Sequence, residues 1–242
     1  MSAAAPDRRN FLLTAAGLAL AGPARAQQSP GPREVDLALV LAADCSGSMK
    51  PEHYGLQQRG YGAAFRDPAV IKAIRSGLTG AIAVCYFQWS GFPIQNLILP
   101  WTVLDSAESI ARYATLLEDT ERSIYGGGTS PAGAIRFGQR QIERLGIAAT
   151  RRVIDVSGDG RANNGPPPDD MRDIAVAAGI TVNGLPIMHL EIDIDEYYAR
   201  HVIGGPGAFT VPARDFASFQ EAIRKKLVLE IAGSTMSGNT QT

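Results

Sequence analysis

The sequence predicts an α/β fold: a doubly wound, mostly parallel sheet with one antiparallel edge strand and helices on both faces. Three observations carry this. Apolar runs of strand length alternate along the chain with stripes of helical period. The first run, Val35–Ala43, is apolar at every position but Asp36, as a strand covered on both faces requires. The run Gly80–Ser90 is followed by Ile94–Leu99 across a link holding Gly91 and Pro93, which is long enough only for an antiparallel return.

Length and composition bound the rest. At 242 residues the chain suits one large domain or two small ones, and 45% hydrophobic with 19% charged residues describes an ordinary globular core. A net charge of −1 without a clustered basic stretch excludes a nucleic-acid footprint. Cys45 and Cys85 do not make a disulfide framework; Cys85 falls in an apolar run, and no bridge between the two is expected.

Residues 1–26 read as an export signal. Arg8 and Arg9 precede Asn10-Phe11-Leu12, a short apolar stretch follows, and Ala24-Arg25-Ala26 has the form of a cleavage site. The paired arginines resemble a twin-arginine signal, which implies a periplasmic or otherwise exported protein. The apolar stretch is too short to span a membrane. Residues 27–33 form a linker, 34–232 the domain, and 233–242 a polar tail expected to be disordered.

Within the domain the elements follow in order. Pro51–Arg66 is loosely helical, weakened by Gly55, Gly60 and Gly62. Asp67 caps a second helix with Pro68 in its first turn and Val70, Ile71, Ile74 and Leu78 as its stripe. The edge strand Ile94–Leu99 is expected to end at Pro100. Asp105, with Glu108 three residues on, reads as the cap of helix Ser106–Glu118. Ser130-Pro131 opens a helix whose stripe is Ile135, Gly138, Ile142 and Leu145, stopped by Gly146. Arg152–Ser157 is a strand. Asp169–Ala178 is a helix with Met171, Ile174 and Ala178 inward, and Ile180–Ile187 a strand. Asp193–Val202 is a short helix, Ala208–Val211 a last strand, and Asp215 caps the helix Phe216–Leu229.

The chemistry gathers at the end of the first strand. Asp44, Ser46 and Ser48 form a D-x-S-x-S loop, placed where open α/β sheets hold their ligands. One carboxylate and two hydroxyls, spaced two apart, converge when the chain turns sharply. They are hard oxygen ligands, suited to Mg²⁺ or Mn²⁺ rather than zinc. Thr129, after three glycines, and Asp159, at the end of a later strand, follow in loops of their own. Asp155 lies mid-strand and reads as a structural carboxylate.

This pattern resembles the von Willebrand factor A (VWA) domain over roughly Val35 to Ile231. In that family D-x-S-x-S opens a metal-ion-dependent adhesion site, completed by a Thr and an Asp from two further loops. The resemblance implies a three-layer, Rossmann-like sandwich and the ligand set Asp44, Ser46, Ser48, Thr129 and Asp159. It further implies that Ser46 and Ser48 bind the cation directly, that Thr129 does so when a ligand is bound, and that Asp44 and Asp159 act through water. The chain also resembles a group of exported bacterial VWA-like proteins with S-G-D-G in place of the commoner T-D-G, a departure that makes Ser157 a candidate accessory ligand.

The functional expectation is an exported, non-enzymatic binding module. Neutral hydroxyl ligands leave the cation electron-poor, able to take a carboxylate from a protein partner presenting Asp or Glu. Pro51–Tyr54, Gly126–Pro131 and Arg161–Pro168 are the expected rim, with Tyr54, Tyr125 and Arg161 as anchors. The competing expectation, a phosphatase of the haloacid dehalogenase kind, needs a second acid where the chain has Ser46. His53, His189 and His201 are scattered and give no metal-ligand spacing. A third is a VWA scaffold whose loop binds no metal.

Overall fold

The computed structural model describes Met1 and residues 34–233. The expected linker, and all of the expected signal and tail apart from Met1 and Gly233, lie outside the described residues. Five strands form one sheet: β1 (Glu34–Asp44), β2 (Ile82–Trp89), β3 (Gln95–Leu104), β4 (Ala148–Gly158) and β5 (Thr181–Pro186). Their order is β3-β2-β1-β4-β5, parallel throughout except for the antiparallel β2–β3 pair. Seven α-helices cover the sheet: α1 (Pro51–Arg66), α2 (Pro68–Arg75), α3 (Ala107–Glu118), α4 (Pro131–Glu143), α5 (Pro168–Ala177), α6 (Ile194–Tyr197) and α7 (Phe219–Ala232). A π-turn, Tyr198–Val202, continues α6. No helix among the described residues is long and apolar enough to cross a membrane.

β1 is central, and its alternation divides the core. Leu37, Leu39, Leu41 and Ala43 pack on the face covered by α1, α2, α3 and α7; Val40 and Ala42 pack on the face covered by α4, α5 and α6. All these side chains are fully buried, so each contributes its burial without relief from solvent. Cys45 and Cys85 are both free and buried, in the cores of opposite faces, as separate small hydrophobes.

Several boundaries differ from the expectation, each for a physical reason. β3 does not stop at Pro100 but runs to Leu104. On an edge strand the missing N–H of proline costs no ladder bond, and register shifts between Val84 and Phe87 absorb it. The cap of α3 is Ser106, not Asp105; Ser106 Oγ accepts from Ser109 N at 3.1 Å and Ser109 Oγ accepts from Ser106 N at 3.0 Å. The reciprocal pair needs Ser109, not Glu108. α2 ends at Arg75, so Leu78 stands in solvent, 95% exposed. On α5 the buried residues are Pro168 and Ala175; Ile174 and Ala178 are exposed. The expected strand Ala208–Val211 is not a sixth strand: Thr210 and Ala213 make isolated bridges to Gly184 and Ile187. α7 starts at Phe219 because Asp215 Oδ1 holds Ser218 N at 2.8 Å, three residues later than expected.

Beneath α7 lies a charged cluster. Lys226 is fully buried, with Nζ 2.7 Å from Asp155 Oδ1 and in contact with Glu230 Oε1. Asn183 Nδ2 donates to Glu230 Oε1 at 2.9 Å. Burial, then the charge of Glu230, pushes the Asp155 carboxyl up to about 7 against the pull of Lys226. Asp155 is thus a structural carboxylate in a buried charged cluster that joins α7 to β4 and β5.

Candidate metal site

The site is built at the carboxyl ends of β1 and β4. β1 ends because Asp44 Oδ1 accepts from Ser46 N at 2.7 Å, a turn in which the side chain takes the place of a backbone acceptor. That turn aims Ser46 and Ser48 together, with their Oγ atoms 3.1 Å apart. Ser48 Oγ donates to Asp159 Oδ1 at 2.9 Å, joining the β1 loop to the β4 loop. Asp44 and Asp159 are both fully buried, and Ser46 nearly so.

Thr129 arrives on a loop without regular structure. Gly127 adopts a φ of 96°, and a Cβ there would lie 2.5 Å from Ser90 Oγ, so only glycine lets the loop lie this close. Asn163 Oδ1 accepts from Thr129 N at 2.8 Å, and Thr129 O accepts from Asn163 N at 3.0 Å. Thr129 is 7% exposed and packs beside Gly160, next to Asp159. Ser130 then caps α4 by accepting from Gly133 N. The structure therefore brings Asp44, Ser46, Ser48 and Asp159 to the two adjoining loops and places Thr129 beside Gly160, the residue after Asp159. It does not bring Ser157 to them: its hydroxyl meets Ala42 O, Tyr61 and Gln57 on the α1 face.

The electrostatics mark the site as under-neutralised. Burial first, then the negative charge of Asp159, pushes the Asp44 carboxyl up to about 7. Burial raises Asp159 as well, while the Ser48 hydrogen bond pulls it down. Asp44 Oδ2 and Asp159 Oδ2 are buried with no hydrogen-bond partner among the described residues. Two desolvated carboxylates beside neutral hydroxyls form a donor set that a hard divalent cation fits. No group of three His, Cys, Asp or Glu side chains among the described residues has metal-binding geometry.

Some residues that hold this site gave little sign of it in the sequence. Arg122 binds the metal loop from below: Nη1 donates to Met49 O at 2.6 Å, and Nη2 to Cys45 O at 3.1 Å and Ser46 O at 3.0 Å. Gln88, buried in β2, fixes the next stretch by accepting from Ser123 N at 2.7 Å and donating to Glu121 O at 2.8 Å. On the rim, His53 stacks on Phe216 at 4.3 Å and meets His189 edge-on at 4.5 Å. The loop Leu190–Asp193 also joins the rim, since Glu191 and Asp193 clasp Arg161 at 2.7 and 2.6 Å. Tyr54 is not a rim anchor: it is 8% exposed and its hydroxyl donates to Thr120 O. Tyr125, 78% exposed, does stand out, with Leu190 and Ile192 exposed on the other side.

Comparison with known proteins agrees with this architecture. A family model described as "Protein of unknown function (DUF1194)" matches residues 34–235. No curated protein matches the chain. Among solved structures, proximal thread matrix protein 1 from the mussel byssus superposes with a TM-score of 0.57 at 16% identity, covering 82% of this chain and 48% of that one. A further structure of that mussel protein is described as having a zinc-occupied MIDAS motif. A von Willebrand factor type A protein from Catenulispora acidiphila gives 0.53 at 16%, covering 81% and 43%. The pilus adhesin SpaC from Lactobacillus rhamnosus GG gives 0.58 at 15%, covering 82% and 31%. The chain thus spans about half the length of these structures or less. At such identities the likeness shows the fold, and that fold is the VWA domain.

Proposed function

The chain belongs to the family described as protein of unknown function DUF1194, and on that premise we propose that it is an exported, metal-dependent protein-binding module. The observation that carries the reading is the hydrogen-bonded chain Ser46–Ser48–Asp159, with a buried, unpartnered oxygen on each flanking carboxylate. Ser46, Ser48 and Thr129 would hold Mg²⁺ or Mn²⁺ by their hydroxyls, with Asp44 and Asp159 supplying charge through water. When bound, the cation offers a carboxylate oxygen of a partner an electrophilic position. The adhesin and the zinc-occupied MIDAS motif among the fold neighbours support the same class of function without assigning it here.

The chain's own residues favour an acidic partner. α1 and α4 begin within three residues of Ser48 and Thr129, so the positive ends of two helix dipoles flank the site. Tyr125, Leu190 and Ile192 add exposed apolar surface around it, suited to a segment in which the acid is flanked by apolar residues. Arg161 is held in place by Glu191 and Asp193 and shapes the rim rather than neutralising a partner. Export by a twin-arginine-like signal in residues 1–26 completes the proposal.

Peptide display tests it. Random peptides selected on the immobilised protein in Mg²⁺ and released with EDTA should be enriched in Asp or Glu beside apolar residues, with no enrichment on Thr129→Ala. Enriched peptides that lack acids, or that stay bound in EDTA, would overturn the reading.

A further inference from the structure

The sheet is cut away for one tyrosine. Tyr198 is fully buried at the start of the π-turn, where Ile203 N donates to Tyr198 O across five residues. Winding of this kind often sets a side chain for function. Its ring lies against Gly184 of β5, where an added Cβ would come within 2.8 Å of Tyr198 Cδ1. Its hydroxyl lies over Gly158 of β4, where an added Cβ would come within 2.6 Å of Oη. That same point lies 2.9 Å from Asp44 Oδ2 and 3.1 Å from Trp89 Cζ2. Two adjacent strands thus carry glycine where Tyr198 crosses them, and the crossing ends beside Asp44.

The three residues bordering this point each carry a polar atom without a partner. Asp44 Oδ2, Tyr198 Oη and Trp89 Nε1 are all buried and make no hydrogen bond to any described residue. They come from three elements, and all three residues are fully buried. Two are donors and one is an acceptor, which is the partner set of an internal water; burying all three unpaired is too costly for a native fold. Asp44 Oδ1 is already taken by Ser46 N, so Oδ2 is the oxygen whose placement decides how the carboxylate sits.

We propose that Tyr198 and Trp89 are positioning residues for Asp44, joined to its Oδ2 by one internal water held over Gly158. The water accepts from Trp89 Nε1–H and Tyr198 Oη–H and donates to Asp44 Oδ2, so every group is satisfied. Gly158, having no Cβ, lets the Tyr198 hydroxyl and Asp44 Oδ2 come this close to the strand, and Gly184 lets the tyrosine ring cross it. The consequence for metal affinity rests on the metal reading given above; the water itself does not.

The test is a double-mutant cycle with two readouts on the full chain. In EDTA, urea unfolding is compared for wild type, Tyr198→Phe, Asp44→Ala and the double variant. Tyr198→Phe removes only the hydroxyl, and its loss of stability should shrink by at least half in the Asp44→Ala background. Equal losses in both backgrounds would reduce Tyr198 to packing and overturn the proposal. In the second readout, Mn²⁺ binding by Tyr198→Phe should weaken about tenfold, as when a ligand's supporting hydrogen bonds are lost. Unchanged Mn²⁺ affinity would also overturn it. Absence of Mn²⁺ binding by wild type would remove the metal reading alone, and the unfolding cycle would still decide the water.

Discussion

Ser48 Oγ donates to Asp159 Oδ1 at 2.9 Å across 111 residues of sequence. It is the bond that makes one site of two loops, and its donor is a half-buried hydroxyl serving a buried carboxylate. Ser48→Ala leaves Asp159 with no described hydrogen-bond donor to Oδ1. The expected cost without metal is about 1–3 kcal/mol, the range for leaving a buried acceptor unpaired. Urea unfolding in EDTA measures it, and a cost within error of zero would show that the loops are held by other contacts.

Arg122 should matter more to the loop than any of its hydroxyls. It satisfies the carbonyls of Cys45, Ser46 and Met49, the backbone between the proposed ligands. Arg122→Ala is expected to cost about 2–3 kcal/mol, since a charged donor serving several acceptors is removed. Arg122→Lys should recover little, because a single ammonium cannot reproduce the planar fork. Full recovery by lysine would mean that charge alone, not geometry, holds the loop.

The pH dependence of stability follows from Asp44. Its carboxyl stands at about 7 in the fold against an ordinary 3.8, so between these values the folded state binds more protons than the unfolded one. This group's contribution is therefore most favourable below its ordinary value and is lost as the pH rises through about 7. Asp155 titrates over the same window, so the readout is the difference between wild type and Asp44→Asn. In EDTA the wild-type unfolding midpoint should fall more steeply with rising pH than that of Asp44→Asn. Mg²⁺ should raise the wild-type midpoint more at about pH 8 than at about pH 5, where protons compete for the carboxylates. Parallel pH profiles for the two proteins would contradict the placement of Asp44 beside Asp159.

Lys226 offers a test away from the site. It is the cation between Asp155 and Glu230, and none of the three reaches solvent to any extent. Lys226→Met should destabilise by about 3–5 kcal/mol, because it leaves two buried carboxylates uncompensated. Replacing all three with apolar residues of similar volume should cost far less. Thermal unfolding of both variants distinguishes a charge requirement from a packing one.

How much of this was legible in the sequence differs by element. β1 was plain, because nine consecutive positions from Val35 hold only one polar residue and end in the loop itself. The grouping of Asp44, Ser46, Ser48, Thr129 and Asp159 was legible through the resemblance to the VWA domain, whose D-x-S-x-S, Thr and Asp loops the sequence matches in order. Arg122 was not, since its partners are backbone carbonyls, which carry no residue identity. Lys226 was hidden because its charge reads as helix surface until Asp155 and Glu230 are seen beneath it. Tyr54 misled in the opposite direction: proximity to the loop in sequence put it on the rim, whereas helical rotation along α1 turns it into the core. β3 outran its proline because the edge position removes the penalty that a sequence rule assumes.

The central claim is that Asp44 and its neighbours hold a divalent cation. Calorimetric titration of Mn²⁺ into the purified protein tests it most directly, with Asp44→Ala as control and circular dichroism to confirm that both are folded. The account predicts one ion per chain for wild type and no saturable binding for Asp44→Ala. Equal binding by both proteins would contradict it and place the cation elsewhere.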